Sequence, residues 1–488
     1  MLDDAGMRAG HEEALVCGDV RLTYAEYVRC VAGFARDLQA MGAAGQRVAL
    51  LCANSIEAAI ASFAIQAAGA VFCPMNPAYT ARELGDALAD AGCRIAVCDA
   101  AAATTVRGLG LDLEVVAFDG DTANWLTRWR DDWAQVLTGL LPDPEALGMI
   151  QYTGGTTGRS KGVMLRNHAI AVNVAQREAL LPTQAGDRFL CMMPLFHSFA
   201  MAMNLYQAAW CAGAMIILPR YRPDWVLETL VRERISVLPA GATVFIGLLG
   251  YDGFAGTDFS RLRVCYSGAS ALPAEIMRRW QQATGCAIYE GYGQTEAGPI
   301  LTYNSPHFPA KPGRVGKPLP DTEIEIVDVE SGQKVLPQGE SGEIRARGPQ
   351  LMEGYWQRPE ETTAALRGGW LYTGDIGAID ADGHLAIQDR KKDMVISGGY
   401  NIYPREVDDV LLLHPAVREA ATFGVPDAYR GELVVSHVVA NGVSVEDLLE
   451  HCRANLAKYK VPARLQLVEA LPKTSVGKID KKALRAGA

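Results

Sequence analysis

The sequence lacks most of the features that mark secreted, membrane-spanning or nucleic-acid-binding chains. Its 11 cysteines scatter from Cys17 to Cys452, and no two form a C-x-x-C pair. That pattern argues against a disulfide framework or a zinc ribbon and predicts reduced thiols in a cytoplasmic protein. Basic blocks are also missing. Lys and Arg total 46 against 56 Asp and Glu, a net charge of −10, which is a poor footprint for nucleic-acid binding. The opening MLDDAGMRAG is acidic and polar, unlike a signal peptide. The most apolar long stretch, Ile56 to Pro74, is broken by Glu57 and Gln66. It reads as a buried helix running into a strand, not as a transmembrane segment. No internal repeat or low-complexity block is evident.

What remains is the composition of a globular protein, 49% apolar and 21% charged over 488 residues. At about 150 residues per domain this length predicts roughly three folding units. The first hundred residues alternate β-runs (RVALLCANS, GAVFCPMN, RIAVCDA) with helical stretches (Ile56 to Ala68, ARELGDALADAG). That rhythm predicts βαβ units and a parallel sheet. It resumes from Asp187 to Glu290, with apolar runs at FLCMMPL, AMIILP, ISVLPA and LRVCYSG. After about Pro318, short alternating runs such as TEIEIVDV, GEIRARG and HLAIQDR are separated by glycine turns, as in antiparallel hairpins. The expected fold is therefore α/β. A large N-terminal domain (1–389) of βαβ subdomains with parallel sheets would include an antiparallel β subdomain over about 318–389. A hinge at 390–392 would lead to a small α+β C-terminal domain over 393–488.

The most informative segment is Tyr152-Thr153-Gly154-Gly155-Thr156-Thr157-Gly158-Arg159-Ser160-Lys161-Gly162. Glycines permit close backbone approach, while threonine hydroxyls and a lysine supply donors, so the loop can wrap phosphate oxygens. On composition alone a flexible surface turn is the weaker alternative reading. It is not a Walker A loop, because Lys161 follows Ser160 and precedes Gly162, whereas that pattern needs G-K-[ST].

YTGGTTGRSKGV resembles the phosphate-loop signature of the adenylate-forming superfamily: acyl-CoA synthetases, adenylation domains of peptide synthetases, and luciferases. It departs at Gly154, where serine is usual, and at Ser160, where proline is usual. Four more segments follow in the family's order. Gly291-Tyr292-Gly293-Gln294-Thr295-Glu296 is similar to its GYGxTE motif, and Trp370 to Asp375 to its W-x-x-TGD motif. Asp389 to Asp393 with SGGYNIYPREV is similar to its hinge and the loop beyond. PKTSVGKIDKKAL is similar to its C-terminal P-K-x-x-x-G-K segment.

The resemblance implies ATP, Mg2+ and coenzyme A as reactants: a carboxylate becomes an acyl-adenylate, then a thioester. It assigns Thr153, Gly154, Gly155, Thr156, Thr157, Gly158 and Lys161 to the phosphates. Tyr292, between Gly291 and Gly293, would pack on adenine, with Gly268 and Ala269 in the same nucleotide set. Thr295 would donate to the α-phosphate and Glu296 would hold the metal. Asp375 would take both ribose hydroxyls, helped by Arg390. Lys478 would be the catalytic lysine, neutralising charge at the α-phosphorus. On composition alone it is one of several lysines in a solvated tail. Lys392 would be the hinge, and Gly398, Gly399 and Tyr400 would line the pantetheine tunnel after a domain rotation.

The acid pocket falls on MMPLFHSFAMAMN. His197 is expected to gate and position, with Phe199, Met201 and Met203 as one wall and Gly241, Ala242, Thr243 and Val244 as another. The methionines read equally as core. No carboxylate stands here for an amino acid's ammonium, and these segments hold no Arg or Lys for a dicarboxylate. The expected substrate is an unbranched medium- to long-chain fatty acid, with a benzoate- or cinnamate-type acid as alternative. Two other readings stay open: an acyl-AMP ligase that loads a carrier-protein phosphopantetheine, and a nonenzymatic nucleotide-binding module. Partners are otherwise small molecules, with no nucleic acid. The oligomeric state stays open, a homodimer included.

Overall fold

In the computed structural model, the described residues are 1–118, 127–153, 160–309, 311, 313–398, 400–474 and 478–487. Two large sheets form the N-terminal part. The first has nine strands, and its central six pair in parallel: Ile288–Gly293, Val264–Ser267, Val237–Ala240, Arg188–Cys191, Ala214–Ile217 and Glu13–Cys17. Antiparallel strands close both edges. The second sheet has seven strands. Leu147–Thr153, Val71–Pro74, Arg47–Leu51, Ile95–Asp99 and Glu114–Phe118 are parallel, with Lys161–Arg166 and Gly354–Tyr355 antiparallel at one edge.

Local chemistry places the helices between these strands. Thr23 and Glu26 form a capping box at the start of Tyr24–Ala40, and Thr80 and Glu83 do the same for Ala81–Ala91. Ser55 caps Ile56–Ala67, which leads into Val71–Pro74. This pair is the apolar stretch noted in the sequence, and both elements lie in the interior because both faces of a parallel sheet are covered. No helix among the described residues is long and apolar enough to cross a membrane.

Beyond Pro318, strands Glu323–Val327, Gly342–Arg347, Trp370–Ile379 and Leu385–Arg390 form an antiparallel sheet with Leu366–Arg367. The sequence reading anticipated its hairpins, but treated Trp370–Asp375 only as a motif. That segment begins the longest strand of this sheet. Past Arg390, a mixed sheet carries strands Val417–Asp427 and Gly431–Ala440, packed against helices Pro404–Leu412 and Val445–Asn455. All 11 cysteines are free, and the Sγ atoms of Cys265 and Cys286 lie 3.7 Å apart, too far for a bond.

Trp280 anchors one core region, edge-on to Phe245 at 4.9 Å and beside Phe254 and Phe259. It is fully buried. Trp280→Ala should therefore cost roughly 3–5 kcal/mol in denaturant unfolding. A loss near zero would mean that these rings close over the gap.

Candidate functional site

Asp375 lies on Trp370–Ile379, opposite Arg390 on the neighbouring strand. Gly374 before it takes φ 70°, a left-handed turn that suits glycine. The Asp375 amide donates to Thr373 Oγ1 at 3.1 Å. Tyr292 donates its hydroxyl to Asp375 Oδ2 at 2.6 Å, and Arg390 Nε stands 3.8 Å from Oδ1. Burial raises the Asp375 pKa, while the tyrosine hydroxyl and the Arg390 and Lys392 cations oppose that rise. The result is a carboxylate that faces inward and is held by one donor and two cations.

Lys478 joins this group from the C-terminal part. Burial and the Arg390 cation push its pKa down to about 8, against the pull of Asp375. Lys478 in turn bears on His197, whose pKa falls to about 4, chiefly through burial. His197 is therefore a neutral imidazole at ordinary pH, with Nδ1 accepting the Phe199 amide at 3.2 Å. Lys392 is lowered by burial and by Arg390. Five residues remote in sequence thus share one electrostatic neighbourhood: His197, Tyr292, Asp375, Arg390 and Lys478.

Thr295 and Glu296 sit on a single 3-10 turn, Thr295–Ala297, that follows strand Ile288–Gly293. The Thr295 hydroxyl is 3.4 Å from that of Ser198. Tyr355 donates to Glu296 Oε1 at 2.8 Å, and the Lys161 ammonium lies 4.7 Å from the Tyr355 ring centre. Tyr355 therefore links Lys161 to the acidic turn. Sequence reasoning missed it; the signal was an aromatic in EGYW, on a two-residue edge strand beside Lys161–Arg166. Thr153 pairs with Lys161 across two strands and brackets the phosphate loop. Gly154, Gly155, Thr156, Thr157 and Gly158 lie outside the described residues, as does Gly399.

Glycines leave room along one face. A Cβ on Gly268 would fall 2.7 Å from the Phe199 ring, and one on Gly291 would fall 2.4 Å from Tyr303. At Gly293 it would collide with the Pro299 carbonyl oxygen at 2.0 Å. Ala269 adopts a left-handed φ of 65°, an uncommon conformation for a residue with a side chain. After His197 the chain makes one short helical turn and then a π-helix, Met201–Tyr206. Phe199, Met201 and Met203 are buried in the main core. Gly241 precedes helix Ala242–Leu249, where Ala242 and Val244 pack into a second core and Thr243 is half-buried. Gly398, at φ 57°, and Tyr400 lie on the C-terminal part, and exposed Tyr400 stacks on Tyr459.

A buried carboxylate with a tyrosine and two cations beside it, a lysine from the C-terminal part, and an acidic turn joined through Tyr355 to Lys161 are compatible with an adenylate-forming site. The comparisons agree with this class. The family described as AMP-binding enzyme matches residues 2–356, and its C-terminal domain matches residues 406–478. A long-chain-fatty-acid–CoA ligase of Bacillus subtilis is 34% identical, covering 99% of this chain and 93% of that protein. Feruloyl-CoA synthase of an Amycolatopsis species is 36% identical, covering 97% and 96%. The ATP-bound structure of MatB from Rhodopseudomonas palustris superposes with a TM-score of 0.91 at 31% identity, covering 100% and 98%. The chain belongs to the AMP-binding enzyme family, as an AMP-forming acid–CoA ligase of the adenylate-forming superfamily.

Tyr355→Phe leaves Glu296 without its hydroxyl donor while keeping the ring. Losing one hydrogen bond to a charged group should lower kcat/KM for ATP by about tenfold, with little change in melting temperature. Unchanged pyrophosphate release would reduce Tyr355 to a packing residue.

Proposed function

We propose that this ligase activates an unbranched medium- to long-chain fatty acid, and that Lys478 carries the first half-reaction. The observation that supports the reading is the continuity of His197 with the buried apolar wall at Phe199, Met201 and Met203. The Lys478 ammonium acts electrostatically on the same imidazole. An acid carboxylate bound near these two side chains would meet a cation, while its tail would meet hydrocarbon. Methionine side chains adapt to chain length. The cytoplasm is the compartment that suits 11 free thiols.

Adenylation asks the protein for orientation and charge neutralisation, not for a nucleophile of its own. Asp375 would accept from both ribose hydroxyls, a use its two oxygens allow once Tyr292 turns to the base. Lys161 and Thr295 would hold phosphate oxygens, and the Lys478 ammonium would bridge the α-phosphate and the attacking carboxylate. As the acid oxygen bonds to the α-phosphorus, pyrophosphate leaves with its electron pair. The developing equatorial charge falls on Lys478. Neutral His197 competes for no charge and keeps the acid's tail side free of water.

Among the described residues no cluster of three acidic, His or Cys ligands stands ready for a metal. Glu296 fits a magnesium ion that takes its other ligands from phosphates and water; when bound, that ion would withdraw charge from the phosphates. For the second half, a rotation at Lys392 would withdraw Lys478 and turn Gly398, Gly399 and Tyr400 towards the adenylate, admitting coenzyme A.

The Lys478 ammonium is required in its charged form, and its folded-state pKa of about 8 lies below the ordinary lysine value. Pyrophosphate release measured as kcat/KM should hold below that pH and fall as pH rises through about 8. Lys478→Arg should remove the falling limb, since guanidinium stays charged. Lys478→Ala should cripple acyl-AMP formation by about a thousandfold while sparing thioester formation from supplied acyl-AMP. Equal loss in both halves would reject the assignment.

The substrate is tested by pyrophosphate release with ATP and magnesium across acids from acetate to long-chain fatty acids, with benzoate, cinnamate and ferulate included. Highest kcat/KM for a medium or long aliphatic acid, with coenzyme A consumed, is expected. A preference for the aromatic acids overturns the chain-length reading. Transfer to a holo carrier protein but not to coenzyme A overturns the acceptor.

A further inference from the structure

One helix ends on an acid that its own geometry does not favour. Asp90 lies in the last turn of Ala81–Ala91, where a negative charge opposes the helix dipole. Arg47 finishes that helix end: its Nε donates to the Ala91 carbonyl at 2.6 Å and its Nη2 to that of Gly92 at 2.9 Å. The Asp90 carboxylate turns instead to two segments remote in sequence. Oδ2 accepts the Tyr152 hydroxyl at 2.7 Å, and Oδ1 accepts Arg358 Nη2 at 2.8 Å. The Asp90 carbonyl oxygen takes Trp356 Nε1 at 3.0 Å. Asp90 and Arg358 keep only 23% and 26% of their side chains exposed, so the pair is screened less than one on the open surface.

Both segments lead to the site. Tyr152 pairs with Gly162 across strands Leu147–Thr153 and Lys161–Arg166, one position from the Thr153 and Lys161 pair. Trp356 meets the same spot. Its amide donates to the Gly162 carbonyl at 2.7 Å, and a Cβ on Gly162 would fall 3.3 Å from the Tyr152 and Trp356 side chains alike. Directly before Trp356 stands Tyr355, paired with Val163, its hydroxyl on Glu296 and its ring facing the Lys161 ammonium. Residues 355–358 thus form a strap beside Lys161–Arg166. Glu296 holds the Tyr355 end of it, and Asp90 holds Trp356 and Arg358.

We infer that Asp90 is a positioning residue for adenylate formation: by holding Tyr152 and the 355–358 strap together, it fixes the spacing of Lys161 and Glu296. The inference rests on the reading of Lys161 as a phosphate ligand and of Glu296 as the magnesium carboxylate. Asp90 itself touches neither substrate nor metal. Its contacts keep a cation and an anion at one separation, and phosphoryl chemistry depends on such placement more than on a reactive side chain. With the Asp90 charge removed, Tyr355 still reaches Glu296, but the strap behind it is loose. The loss therefore falls on ATP and magnesium, and spares the acid and the thiol step.

The test uses two full-length variants that break the same pair from opposite ends. Asp90→Asn keeps an acceptor for Tyr152 and gives up the charge that binds Arg358; Arg358→Met removes the guanidinium. In both, kcat/KM for ATP in pyrophosphate release should fall at least about tenfold, and half-maximal rate should need more magnesium. The KM for the acid, and thioester formation from supplied acyl-AMP, should stay within about twofold of wild type. Added to Tyr355→Phe, Asp90→Asn should cost less than about threefold more, because both changes act through one contact. Losses that simply multiply overturn the proposal, as does an equal loss in both half-reactions, which would mark a general effect on stability. Unchanged ATP and magnesium dependence in Asp90→Asn and Arg358→Met, with a shifted magnesium response in Glu296→Gln, overturns the proposal alone. An unshifted magnesium response in Glu296→Gln overturns the reading of the acidic turn, and the proposal with it.

Discussion

Charge brought together from two folding units is the constraint on which this site depends. Asp375 and Arg390 come from adjacent strands of one antiparallel sheet, and Lys478 comes from a segment almost ninety residues further on. Asp375 and Lys478 are partly removed from water, and the Asp375 carboxylate offsets part of the cost that burial and the Arg390 cation place on the Lys478 ammonium. Without Asp375 the lysine would shed its proton more readily; without the neighbouring cations the carboxylate would hold one more readily. The same ammonium also acts on His197 and helps to keep it neutral. The arrangement is poised for charge to develop between these groups, where preorganised dipoles and cations act most strongly.

The same economy appears on the acidic side of the site. One tyrosine, Tyr355, spans the Glu296 carboxylate with its hydroxyl and the Lys161 ammonium with its ring face. Edge-strand pairing with the strand that carries Lys161 fixes its backbone. Positioning here is thus a property of the sheet, which suits chemistry that turns on geometry more than on a reactive side chain.

Much of the fold was legible in the sequence because apolar periodicity and capping residues act locally. Ile56 to Pro74 became a helix and a strand, as its broken apolar run suggested. The strand Trp370–Ile379 was less legible, since YTGDIGA carries glycines that a strand usually avoids and that only cross-strand pairing accommodates. Site residues were legible where a motif packs several functional side chains into a few positions, as in GYGQTE. Tyr355 was not. It owes its importance to the carboxylate that tertiary packing sets against it, and that relation leaves no trace in local sequence. The periodicity at MAMNLY was likewise silent about winding, because a π turn and an α turn bury the same apolar residues.

That winding matters to how the pocket could diversify. A π turn holds about one residue more than an α turn, so deleting a single residue within Met201–Tyr206 would restore ordinary winding. Everything upstream, including the Phe199 cover, would then rotate by roughly 100° and advance about 1.5 Å relative to the helix that follows. A lineage carrying this insertion can therefore re-aim the Phe199 ring by one codon lost, without passing through a series of core substitutions.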